Sequence, residues 1–200
     1  SRTKVNWETP SYYPFLWDTV LEGAISHPEV LREALEVGEP EFYLEIIEHL
    51  PDKLLNEEKV QKILAKNLGS GDLRIRLASA AVLIRLELFR KKSLPILLEG
   101  ISDGEKRIKL LALTGLEQVA NQIPRAYQAI LNLASDTDKD IRYNVCRWLI
   151  AERPQDKNQQ ALLGFLDDPD PFVLMYLARN IRELKPLLRN PFEGGFYKRL

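Results

Sequence analysis

Four segments of this chain repeat one pattern at a nearly constant interval, and no other feature limits its fold as tightly. They open at Ser70, Asp103, Asp136 and Asp168, which are 33, 33 and 32 residues apart. Five residues after each opening stands Ile75, Ile108, Ile141 or Val173. A weaker copy lies another 33 residues back, with Val37 at the opening and Phe42 at the fifth position. Self-similarity at such a period marks a stacked array in which every unit is one supersecondary element.

Counted from each opening, offsets 5, 9 and 13 are mostly apolar: Ile75/Ser79/Leu83, Ile108/Ala112/Leu116, Ile141/Val145/Leu149 and Val173/Leu177/Ile181. Steps of four residues return to the same side of an α-helix. Shorter amphipathic stretches near Glu57–Leu68, Ser93–Ile101, Arg125–Ala134 and Asn158–Leu166 fall between these helices, so each unit is predicted to be a helical hairpin. A lone hairpin cannot cover its own apolar side, and stacking successive hairpins does so.

An aspartate at the turn, a β-branched residue at offset 5 and an arginine at offset 6 resemble HEAT repeats, including the short type of phycobilisome-lyase-like proteins. Asp136/Arg142 carries the resemblance best and Asp103/Lys109 acceptably, whereas Ser70 replaces the acid and Leu174 the base. A polar ladder along the stack is therefore expected to break at both ends. The resemblance implies an all-α fold: a right-handed α-solenoid of about five HEAT-like hairpins over residues 27–185 with atypical end caps. Residues 1–26 would form an aromatic N-terminal cap, with five aromatics between Trp7 and Trp17 and helix-breaking Pro10 and Pro14. Residues 186–200, with Pro191, Gly194 and Gly195, form a separate C-terminal tail.

The composition, 45% hydrophobic and 28% charged over 200 residues, is that of a globular chain. Uncharged stretches such as Leu77–Ile84 fall far short of the roughly 20 apolar residues that span a bilayer. No charged start followed by an apolar run and a cleavage site is present, and the lone Cys146 suits a reducing compartment, so a cytoplasmic location is expected. Net charge is -1 but uneven: Asp18–Glu58 holds twelve acidic and two basic residues, and Arg74–Lys109 nine basic and four acidic.

Catalytic constellations are missing from the pattern. Two histidines, His27 and His49, and one cysteine match no zinc-ligand spacing, and Gly69-Ser70-Gly71 lacks the lysine-serine of a phosphate loop. Cys146 has no histidine nearby in sequence and reads as a packing residue. The regularly spaced Asp103, Asp136 and Asp168 read as helix caps that can also meet the arginine six residues on. We therefore expect no catalytic residue, no metal and no cofactor.

One column departs from a polar surface. At about 100° per residue, offset 7 lies opposite the core side of each repeat helix. It reads Leu44, Leu77, Leu110, Tyr143 and Met175, and offset 14 adds Ile84 and Ile150. Facing the concave side, these residues would form a binding patch with Arg74, Arg107, Arg147 and Arg179 at its rim. Rotated the other way, they would pack between repeats and leave no patch.

The leading functional expectation is a non-catalytic scaffold or adaptor holding a helix or extended segment of another protein. A second, implied by the resemblance, is a phycobilin lyase-like or chaperone-like protein handling a tetrapyrrole-bearing partner. A third is a nucleic-acid-binding protein similar to HEAT-like glycosylases of alkylated bases, for which Trp148 beside Arg147 is the nearest analogue. The near-neutral charge and acidic first third argue against nucleic acid.

Overall fold

The computed structural model describes Leu35, Ile47 and residues 50–152 and 156–184, with the backbone alone at 156–159 and 181–184. The aromatic cap, the C-terminal tail, the weak first copy with Leu44, and both histidines lie outside the described residues. Among the described residues the structure is helical, in the order α1 (Asp52–Leu55), α2 (Glu58–Asn67), α3 (Leu73–Leu83), α4 (Glu87–Gly100), α5 (Lys106–Glu117), α6 (Pro124–Asn132), α7 (Lys139–Ala151), α8 (Asp156–Gly164) and α9 (Pro171–Leu184). Short 3₁₀ turns at Leu133–Ser135 and Phe165–Asp167 follow α6 and α8.

Helices α3, α5, α7 and α9 are those opened by the repeated segments, and each packs beside the next in one layer. The intervening helices cover them, α4 lying against both α3 and α5. The apolar offsets face inward as read from the sequence: Ile108, Ala112, Leu116, Ile141, Val145, Leu149, Val173 and Leu177 are buried in one continuous cluster. The helix read from Ser93 begins earlier, at Glu87, because Phe89 packs against the neighbouring cluster and adds a turn's worth of apolar contact.

Every opening is built alike. The side chain at offset 0 accepts the backbone N–H at offset 2: Ser70 from Asp72, Asp103 from Glu105, Asp136 from Asp138 and Asp168 from Asp170. Where offset 2 is an aspartate, its carboxylate in turn accepts the N–H of Arg74, Asp140 or Phe172 and caps the helix. The opening aspartates thus serve the turn, and the capping residue proper stands two positions later.

The expected pairing of each acid with the base six residues on is not what forms. Arg142 Nη1 donates to the backbone carbonyls of Asp136 and Thr137, while the Asp136 carboxylate accepts from Lys109 of the preceding repeat at 2.6 Å. Arg142 itself reaches forward to Asp168. The Asp136 carboxylate is divided between its own loop and the preceding repeat, Oδ1 accepting the Asp138 N–H and Oδ2 the Lys109 ammonium, which leaves the loop carbonyls to Arg142. The ladder stops at Leu174, and at the other end Arg76 turns to Glu99 of α4 at 3.4 Å.

Close approach between α3 and α5 depends on Gly115. A Cβ there would stand 2.9 Å from Ala81 Cα and 2.8 Å from Leu97 Cδ2. Cys146 is fully buried on α7, and burial pushes its thiol up to about 12, as befits a packing residue.

Candidate functional site

Helix α3 carries the first surprise at the proposed binding column. Leu77 is fully buried, as are its neighbours Ala78, Ser79 and Ala80. This corrects the reading of Leu77 as a patch residue. Helix α3 divides two hydrophobic clusters: Ala78, Val82 and Leu83 belong to the one formed with Leu54, Leu55 and Val60, and Leu77 and Ile84 to the one that continues to α9. A helix covered on both sides has no outward apolar stripe to offer. The Leu77 methyls also fill the space that Gly100 leaves open, 2.4 and 2.9 Å from where its Cβ would be.

Further along, the column emerges. Leu110 and Tyr143 are partly buried against the core, and Met175 is 39% exposed. Beside Met175, Phe172 is 51% exposed. Tyr143 stacks in a tilted arrangement on Phe172 at 5.2 Å and edge-on to Tyr176 at 4.9 Å, so α7 and α9 share one aromatic surface. Phe172 and Tyr176, at offsets 4 and 8, were missed by a reading confined to offset 7. The signal was present, since offsets 4, 7, 8 and 11 fall within about 100° of one another on a helical wheel.

The four nominated arginines have different fates. Arg74 is held against its own helix cap, Nη2 2.8 Å from Asp72 Oδ2. Arg107 is exposed near the start of α5. Arg147 and Arg179 stand at the same offset, 11, on α7 and α9, and both are exposed. Arg147 meets Glu117 of α5 at 3.4 Å. Its charge also reaches Tyr176, whose phenol is held up by burial first and Tyr143 next, with Arg147 acting in the opposite sense.

Glu117 is the most perturbed carboxyl near this face. Burial raises it to about 7 against the opposing pull of Arg147, and Glu152 adds to the rise. Trp148 is a core residue, 4% exposed and edge-on to Tyr127 at 5.5 Å, so its ring has no open face for an extruded base. Among the described residues, no three His, Cys, Asp or Glu side chains gather as metal ligands, and no helix is long and apolar enough to cross a membrane.

This geometry defines an all-helical repeat solenoid with a mixed aromatic and cationic surface at one end of its described part. Residues 94–182 match the family model for HEAT repeats. Among solved structures, an engineered protein from a structural genomics consortium aligns at 17% identity over 78% of each chain with a TM-score of 0.50. A designed armadillo repeat protein aligns at 15% identity over 84% of this chain and 85% of its own, with a TM-score of 0.49. A comparison with curated proteins finds no match. The fold is thus a HEAT-like solenoid, as the repeat predicted.

Proposed function

We propose that this protein is a non-catalytic, cytoplasmic scaffold or adaptor that holds a segment of another protein on its concave face, along α5, α7 and α9. Leu110, Tyr143, Met175, Arg107, Arg147 and Arg179 are contact residues retained from the sequence reading, joined by Phe172 and Tyr176. Leu77 drops out because it is core. The observation that carries the reading is the clustering of exposed Phe172 and Met175 around the Tyr143/Tyr176 pair. Large apolar side chains gathered on a surface mark a docking site more often than single exposed ones do. Aromatic residues and arginine are also the side chains that dominate protein interfaces.

The experiment is affinity capture from the source cell with wild type and a Phe172→Glu/Met175→Glu variant, with melting followed in parallel. A partner kept by wild type and lost by an equally stable variant supports the reading. Identical capture by both proteins overturns it.

A further inference from the structure

The cations along this face differ in whether the fold neutralises them. Lys106 pairs with Asp140, Lys109 with Asp136, Lys139 with Asp170 and Arg142 with Asp168. Arg147 is compensated by Glu117, which stands at offset 14 of the preceding repeat. One repeat further on, offset 14 is Ile150, packed against the core. Arg179, the counterpart of Arg147, accordingly has no carboxylate at that place and makes no ion pair among the described residues. It stands on the same helix as Met175, one turn later, beside the aromatic cluster.

We propose that the occupant of this face is an acidic, extended protein segment whose apolar side chain seats on Tyr143, Phe172 and Met175 while a carboxylate pairs with Arg179. The inference rests on the docking reading above and adds the chemistry of the partner. Arg179 stands four residues beyond Met175 on α9, a rise of about 6 Å. An extended chain advances about 3.1–3.3 Å per residue, so a carboxylate two residues from an apolar side chain spans that turn and reaches Arg179. A phosphate backbone fits less well, because its repeated charges need several uncompensated cations, and Lys106, Lys109, Lys139 and Arg142 of this layer are already paired with carboxylates.

The test uses the full chain and fluorescence anisotropy with a labelled peptide of repeated Asp-Pro-Leu triplets, which proline holds extended. The counter-probes are the matching Lys-Pro-Leu peptide and an oligothymidylate. The acidic peptide should bind and the lysine peptide should not. Arg179→Glu should weaken binding about tenfold, as reversal of an interface charge does, while Arg125→Glu on α6, an equal change in net charge, leaves it unaltered. Equal binding by Arg179→Glu and wild type, or stronger binding of the lysine peptide or the oligothymidylate, overturns the proposal. A Phe172→Ala/Met175→Ala variant separates the two levels. If it weakens peptide binding and Arg179→Glu does not, the face is a docking site with other chemistry; if both are silent, the docking reading fails as well.

Discussion

Arg142 grips both carboxylate oxygens of Asp168 across the joint between two repeats, Nε to Oδ2 at 2.8 Å and Nη2 to Oδ1 at 2.9 Å. Both side chains are almost wholly buried. Two planar hydrogen bonds fix direction as well as distance, so this contact sets how α9 sits on α7.

Removing one partner leaves the other charge buried without compensation. Asp168→Ala should cost about 3–5 kcal/mol in denaturant unfolding, and an Arg142→Leu/Asp168→Leu double variant markedly less than the sum of the two single changes. The hydrogen bond from Arg142 holds the Asp168 carboxyl below its ordinary value of 3.8. A depressed carboxyl stabilises the fold above its unfolded pKa and loses that contribution as pH falls through its folded one. Acid titration of the melting temperature should therefore be shallower in Asp168→Ala than in wild type.

Glu117 has the opposite sign. Its folded pKa, raised by burial to about 7, means that the native state binds a proton the unfolded chain has released. That contribution is fully present below the ordinary value of 4.5 and is lost as pH rises toward 7. Glu117→Gln should flatten the fall of melting temperature between those limits, with an upper bound of about 3 kcal/mol on the effect at alkaline pH.

The glycine at position 115 is a packing requirement. Gly115→Ala would drive a methyl into the Ala81 backbone and the buried Leu97, a small-to-large change in a filled space. A loss of about 1–3 kcal/mol in urea unfolding is expected, although alanine is the better helix former.

Leu77 and Met175 share an offset and not an environment. Leu77→Ala should cost about 2–5 kcal/mol as a core truncation. Met175→Ala should stay within about 0.5 kcal/mol, as exposed substitutions do. Equal losses, measured by thermal melting of the two variants, would mean that the column is uniformly buried or uniformly exposed.

That contrast also shows what periodicity could and could not reveal. Offsets 5, 9 and 13 identified the core of α5 and α7 correctly because one face of a helix is a property of its own sequence. The burial of Leu77 is a property of its neighbours: it packs in the cluster that continues to α9, beside Gly100 of α4, while a second cluster that includes Leu54 and Val60 closes the other side of α3. The ladder was legible in its members, Lys109, Asp136, Arg142 and Asp168, and illegible in its pairing. Which acid meets which base depends on the stacking of hairpins, which a helical wheel does not contain. Phe172 and Tyr176 became part of the site only once α9 lay beside Tyr143.

The alternation of Glu117 and Ile150 at one offset carries a consequence for descent. Either residue leaves the buried offsets of its helix untouched, yet the choice decides whether the arginine of the next repeat is spent inside the molecule or left for a visitor. Selection can then alter what this surface recognises by single steps at a position that the framework tolerates. Related chains with the same scaffold are expected to diverge in partner first at the places equivalent to 117 and 150, and the ladder residues to drift last.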